Sequence, residues 1–228
     1  MCAYVIAAPK QVTVPVAGGG EFPVRRIFCI GRNYAEHVKE MGGDPKKDAP
    51  IFFTKPADAI ILDGTVMAYP QATTNLHHEI ELVVAISKGG KNIATDDALA
   101  HVYGYAVGID MTRRDLQETA KKGGKPWDMA KGFDQSAPIN PIRPVELVGH
   151  PSKGAIRVAV NGVTKQQADL SDMIWSVPEI IAEISALVEL KPGDLIYTGT
   201  PEGVGPVKAG ERLDGEIEGL GTLSVIVE

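Results

Sequence analysis

The chain has 228 residues, 44% hydrophobic and 23% charged, long enough to bury a sizeable core in one large domain. Its 23 Lys and Arg against 29 Asp and Glu give a net charge of −6, which excludes a basic nucleic-acid surface, and no Lys/Arg cluster is long enough to track phosphates. No apolar run approaches the length that spans a bilayer, and the two cysteines, Cys2 and Cys29, make neither a disulfide framework nor a zinc site.

"MCAYVIAAPKQV" lacks a basic stretch followed by a sustained apolar one, so no signal peptide is expected and the expected location is cytoplasmic. Residues 1–26 read as a short strand and turn appendage. Gly18, Gly19 and Gly20 form a flexible turn that sets a strand pair apart from the body at 27–228. "RIFCIG" is a strand with Cys29 as a small core residue. "RNYAEHVKEMGGDP" is a short helix or mobile loop, followed by an exposed connection at Pro45 to Asp48. "PIFFTKP" is a strand ended by Pro56.

"NLHHEIELVVAIS", Asn75 to Ser87, reads as one buried strand, yet Glu79 and Glu81 sit in its first half. Strand side chains alternate, so both carboxylates share a face with His77, while His78 points the other way. Two like charges on an apolar strand are expensive to bury unpaired. A divalent cation resolves the repulsion, and it calls for a third acid at another strand end. Asp110, closing "YGYAVGID" beside Ala106 and Gly108, is the best candidate. Carboxylates without cysteine select a hard ion, Mg²⁺ or Mn²⁺. The competing reading is a solvated face that binds nothing. Neither histidine is taken as a ligand.

Further on, "ATDDALAHV" is a short helix with Thr95 as its cap. "TRRDLQETAKKGG" is a helix in which Thr112 and Asp115 form a capping box, stopped by Lys121, Lys122 and Gly123. Asn161-Gly162 turns a hairpin. "SVPEIIAEISALVEL" is the clearest helix, capped by Ser176 and Glu179, with Ile180, Ile181, Ile184, Leu187 and Val188 as its apolar stripe. "LIYTG" is a strand and "RLDGEIEGLGTLSVIVE" a closing hairpin. Many short strands with few helices, not regularly alternating, predict a mixed, strand-rich α+β domain.

The ordered set "GRNYAEHVKEMG", "FFTKP", "LHHEIELVVAI", "GYAVGIDMTRRDLQ", "KPWDMAKGFD", "VNGVTKQ" and "DLIYTGTPEGVG" resembles the fumarylacetoacetate hydrolase family, in its acylpyruvate hydrolase branch. "FPVRRIFCIGRNYAEH", "FFTKPADA" and "VGIDMTRRDLQ" resemble the bacterial members acting on fumarylpyruvate in aromatic-acid breakdown. The resemblance implies a mixed β-roll with flanking helices, a homodimer, and Mg²⁺ or Mn²⁺ held by Glu79, Glu81 and Asp110. It also implies a lid dyad, His37 and Glu40 of "AEHVKEM", one helical turn apart. Lys131 of "DMAKGFD" matches a lysine near the reacting carbonyl. Arg114, Gln117 and Thr200 match substrate contacts. Arg113 competes with Arg114, because periodicity does not separate them. Lys55 matches a motif without an evident role.

The implied reaction is cleavage of the C3–C4 bond of a 2,4-dioxo acid such as fumarylpyruvate, giving fumarate and pyruvate. His37 serves as base and Lys131 as oxyanion donor, under a lid from Gly31 to Gly42. The rivals are decarboxylation or isomerisation of oxaloacetate or another 2-oxo acid at the same site, and a non-catalytic acidic metal-binding or interaction protein. The "GTPEGVG" loop lacks a Gly-Lys-Ser/Thr, which excludes a nucleotide P-loop.

Overall fold

The strand Ile80–Ile86 is buried at every position, and it lies inside a mixed eight-stranded sheet. A computed structural model of the chain describes residues 4–42, 44 and 49–228. The expected connection at Pro45 to Asp48 and the residue Cys2 lie outside the described residues. Across the sheet run Ile51–Lys55, Arg26–Gly31, Asp194–Tyr197, Ile80–Ile86, Val102–Ile109, Ala137–Ile139 and Ile60–Leu62, with Arg143–Pro144 also paired to Val102–Ile109. Alternation divides two cores. Leu82, Val84, Ile86, Val107 and Ile109 face one way, Val83, Ala85 and Ala106 the other.

The first face packs on a five-stranded sheet of Val163–Asp169, Ala155–Val160, Arg212–Ile217, Gly221–Val227 and Val66–Met67. The helix Val177–Leu187 adds Ile180, Ile181 and Ile184 to the same core. The second face receives the N-terminal hairpin Thr13–Pro15 and Glu21–Pro23 through Val14 and Phe22. A strand packed on both faces must be apolar throughout, which is why Ile80–Ile86 reads as a near-continuous run. The architecture is α+β, as its pattern of many short strands predicts.

Four local expectations are corrected. The three glycines do not separate the strand pair from the body. They turn the pair itself, with φ of 95°, 114° and 94° at Gly18, Gly19 and Gly20. Thr95 is the first residue of its 3₁₀ helix, Thr95–His101, and Ala94 is the cap. The box between Thr112 and Asp115 does not form at helix Arg114–Lys122. The Thr112 hydroxyl instead accepts from Lys131 Nζ at 2.7 Å, while Asp115 accepts from the Thr73 hydroxyl and the Thr74 N–H. Leu187 and Val188 leave the apolar stripe because the helix ends there, and both are exposed. At the other end of this helix Glu179 accepts from the Ser176 N–H at 2.8 Å, as the sequence predicts.

Candidate active site

The run from Asn75 to Ser87 is not one strand. Leu76–His78 is the middle strand of a three-stranded sheet with Thr112–Arg113 and Gly205–Val207, and Ile80–Ile86 belongs to the large sheet. The break falls at Glu79. There the chain passes between sheets, and pairing of Ile80 with Ile109 sets Glu79 beside Asp110, whose N–H donates to the Glu79 carbonyl at 2.8 Å. Ligand oxygens of Glu79, Glu81 and Asp110 lie within 4.8 Å of one another, and all three residues are buried. The two histidines separate as expected. His77 Nδ1 lies 3.3 Å from Arg114 Nε, on the glutamate side, and His78 Nδ1 lies 3.0 Å from Gln166 Oε1.

Cations surround the cluster. Lys131 Nζ donates to Glu79 at 2.6 Å and to Asp110 at 2.7 Å, Lys55 Nζ is 2.8 Å from Asp110 Oδ1, and Arg114 pairs with Glu79. Burial raises the Glu79 carboxyl, but Lys131 and Arg114 outweigh it and hold it well below the usual carboxylate range. Burial, Asp110 and Glu79 push the Glu81 carboxyl well up. Burial lowers Lys131, yet Asp110 and Glu79 prevail and keep it charged. Lys55, whose sequence motif suggests no role, is buried here with its ammonium ion-paired to Asp110 and bonded to the Met111 and Lys131 carbonyls.

Glu81 shows the strain of the arrangement. Its Oε2 accepts the Gly199 N–H at 2.8 Å, and no cation is paired with it among the described ion pairs. Gly199 has φ of 94°, and a Cβ there would stand 2.6 Å from Asn33 Cβ, so only glycine fits. Three converging buried carboxylate oxygens, one kept reluctant to ionise by its neighbours, are a donor set suited to a hard divalent ion.

The dyad sits above this cluster. Helix Ala35–Glu40 places His37 Nδ1 3.2 Å from Glu40 Oε2, and the Gly203 N–H lies 3.3 Å from both Glu40 oxygens. The helix is anchored at its base by Asn33, whose Nδ2 donates to Thr198 O at 2.7 Å and Trp175 O at 3.0 Å. His37 is buried and lines the cleft with Glu79, Glu81, Lys131 and Thr200. Burial lowers its pKa, against an opposite pull from Glu79 and Glu40. The imidazole is therefore neutral near pH 7. With Glu40 accepting at Nδ1, Nε2 is left as the basic nitrogen.

The remaining residues divide cleanly. Arg114 and Gln117 are buried, hydrogen-bonded to each other, and line the cleft. Arg113 lies over the Phe133 ring, 4.4 Å from its centroid, and donates to Met129 O, so of the two arginines it is Arg114 that lines the cleft. The Thr200 hydroxyl accepts from Gln166 Nε2 at 2.8 Å. Gln166 itself is a residue the sequence does not single out. Its Oε1 also accepts the Ile80 N–H at 3.0 Å, and its Nε2 reaches Pro201 O at 2.7 Å. One buried amide thus ties the backbone between the two glutamates to the Thr200 loop. The one signal in the sequence is that the family-like run "VNGVTKQ" ends on Gln166 and leaves out Gln167.

The sequence model of the fumarylacetoacetate (FAA) hydrolase C-terminal family matches residues 26–228. The chain is 45% identical over 184 residues to a fumarylpyruvate hydrolase of Ralstonia sp, covering 81% of this chain and 95% of that one. It is 41% identical over 204 residues to a mitochondrial oxaloacetate tautomerase of Homo sapiens, covering 90% and 92%. Among solved structures, fumarylpyruvate hydrolase from Pseudomonas aeruginosa in complex with Mn²⁺ and pyruvate superposes with a TM-score of 0.97 at 51% identity, covering 99% of each chain.

Proposed function

The chain belongs to the fumarylacetoacetate hydrolase family, and from that premise we propose that it is a metal-dependent hydrolase of the C3–C4 bond of an acylpyruvate, converting fumarylpyruvate to fumarate and pyruvate. One observation carries the reading: Glu79 and Glu81 of the three-carboxylate cluster and His37 of the His-Glu dyad line a single cleft. Glu79, Glu81 and Asp110 would hold Mg²⁺ or Mn²⁺. When bound, the ion supplies Lewis acidity at the 2-oxo acid end of the substrate.

The chain's own side chains supply the rest. His37 Nε2 takes a proton from water, and Glu40 holds the ring by its other nitrogen. The water oxygen adds to C4, where the Lys131 ammonium faces the developing oxyanion. Its N–H groups are engaged by Glu79, Asp110 and Thr112, so this role requires exchange of one of them. The neutral Thr112 hydroxyl is the weakest of the three partners. The C3–C4 electrons move towards C2, and protonation at C3 releases pyruvate. Arg114, held by Glu79 and Gln117, and Thr200, held by Gln166, orient the substrate carboxylate. The segment from Gly31 to Gly42 excludes bulk water.

The same proposal places the reaction in aromatic-acid breakdown of the gentisate type, in a cytoplasmic homodimer. The free, buried thiol of Cys29 suits a reducing compartment. Among the described residues no helix is long and apolar enough to cross a membrane.

The test is the enol absorbance of fumarylpyruvate with Mn²⁺ present. Its decay with fumarate and pyruvate formed in equal amounts, abolished by EDTA, is the expected result. The relationship to the human tautomerase keeps a second reading, in which the same base shuttles a proton on oxaloacetate without water attack. Unchanged fumarylpyruvate with accelerated oxaloacetate enol–keto exchange would select it.

A further inference from the structure

The cleft continues past the carboxylates. On helix Arg114–Lys122, residues Arg114, Gln117 and Lys121 fall within a ~60° arc of the helix surface. The helix therefore turns a polar face inward, and the reaction as described uses only its first two members. Lys121 is half-buried in the cleft wall, with Nζ 5.5 Å from the Trp127 ring centroid. Trp127 lies 5.8 Å from the Phe53 ring, and Lys131 Nζ is 5.1 Å from the Phe53 centroid. From the reacting carbonyl outward the order is Lys131, Phe53, Trp127, Lys121: a cation at each end of an aromatic wall.

Arg114 has its Nε, Nη1 and Nη2 on His77, Gln117 and Glu79. Arg32 also lines the cleft, and its backbone is held left-handed at φ of 64°, an arrangement that costs energy outside glycine. Burial lowers the Lys121 pKa, and the charges of Arg114 and Arg32 lower it further. Glu79 pulls the other way without cancelling them, so an anion entering beside Lys121 favours its charged form.

We propose that Lys121 is the residue that selects the acyl chain, receiving a terminal carboxylate on an acyl group laid flat along Phe53 and Trp127. The inference rests on the acylpyruvate hydrolase reading and narrows its substrate class to acylpyruvates whose acyl chain is short, planar and ends in an anion. An ammonium on a four-carbon stem meets such a carboxylate as a point charge, and the two rings supply an apolar, stacking surface for a conjugated double bond. A cation–π contact with Trp127 alone would account for a lysine here as packing, and the test separates the two.

Steady-state kinetics of the Mn²⁺-loaded wild type, Lys121→Met, Lys121→Gln and Lys121→Arg are compared on fumarylpyruvate and on acetylpyruvate, which has no terminal carboxylate. The ratio of kcat/KM for fumarylpyruvate over acetylpyruvate falls about 10- to 100-fold in both neutral variants, the worth of one charge-assisted hydrogen bond. The fall lies mainly in KM, and Lys121→Arg restores most of it. Fumarate, the product bearing that carboxylate, inhibits both neutral variants more weakly by a similar factor. An unchanged ratio, or equal losses on both substrates, would overturn the assignment of Lys121 while leaving the hydrolase reading intact. A wild type inactive on both substrates would overturn the two together.

Discussion

Glu79, Glu81 and Asp110 hang from or beside the paired strands Ile80–Ile86 and Val102–Ile109, inside the sheet, whereas His37 and Glu40 ride on a helix of six residues, Ala35–Glu40. The carboxylates are held by backbone pairing, by two lysines and an arginine, and by the Gly199 N–H. The dyad depends on the Asn33 anchor and on the contact of Glu40 with the Gly203 N–H. An isolated helix that short is not stable in water, so its position is borrowed from tertiary contacts. The difference teaches a division of labour. The carboxylates that converge on one point are built into the sheet, and the dyad, which the proposed function makes part of a lid, sits on a short helix outside it.

The strongest way to break that comparison is at the sheet end. Glu81→Gln keeps an oxygen to accept the Gly199 N–H but removes the charge. Turnover is expected to fall by about 10³-fold or more, the size of several kcal/mol of lost Lewis-acid stabilisation, with weakened Mn²⁺ binding in calorimetry. Stability moves the other way. The folded-state pKa of Glu81 is raised, so its ionisation costs stability as pH rises above the unfolded value, and the neutral amide is spared that cost. The metal-free variant should melt at or above the wild-type temperature at pH 7. Wild-type Mn²⁺ affinity in this variant would remove Glu81 from the site.

At the lid end, His37→Ala is expected to lower kcat by roughly 10²–10⁴ while leaving Mn²⁺ affinity close to wild type. The pair of variants sharpens the comparison, because one loses ion and rate together and the other loses rate alone. Full activity in His37→Ala would end the base assignment.

Much of this was legible in the sequence, and the reason is local. The spacing of Glu79 and Glu81, and Asp110 at the end of an apolar run, follow from strand alternation, and Asn161-Gly162 from turn chemistry. What was not legible depends on distant partners. The break at Glu79 is set by which sheet each half joins. The failure of the Thr112 and Asp115 box is set by Lys131 and Thr73, neither of which is a neighbour in sequence. Arg113 and Arg114 are indistinguishable until the helix is placed against Phe133. Gln166 ends the family-like run "VNGVTKQ", but what it does there shows only in its burial and its bonds to Ile80 and the Thr200 loop.

Gln166 also tests how far the sheet end reaches. Gln166→Leu fills a similar volume but leaves the buried Ile80 N–H without an acceptor. The expected cost is about 1–3 kcal/mol of stability, read as a lowered denaturation midpoint at unchanged slope. Because the same amide holds the Thr200 hydroxyl, KM should rise as well. A variant as stable as wild type would show that Ile80 finds another partner.

The smallest effect is in the pH profile, and it separates the two regions without removing either. Two groups can shut the enzyme down on the acid side: Glu81, whose raised pKa makes the ion compete with a proton, and His37, which must be neutral to act as base. At limiting Mn²⁺ the acid limb of kcat/KM reports both, and raising Mn²⁺ should move it to lower pH until it stops. The limb that remains belongs to His37. It should lie below the ordinary imidazole value of 6.5, because burial opposes the charged ring. Glu40→Gln keeps an oxygen to accept from Nδ1 but removes a charge that favours imidazolium, so the residual limb should move to lower pH still, with a lower plateau from the less basic ring. A limb that follows Mn²⁺ concentration without limit would assign all of the acid sensitivity to the carboxylates, and leave His37 no titration of its own.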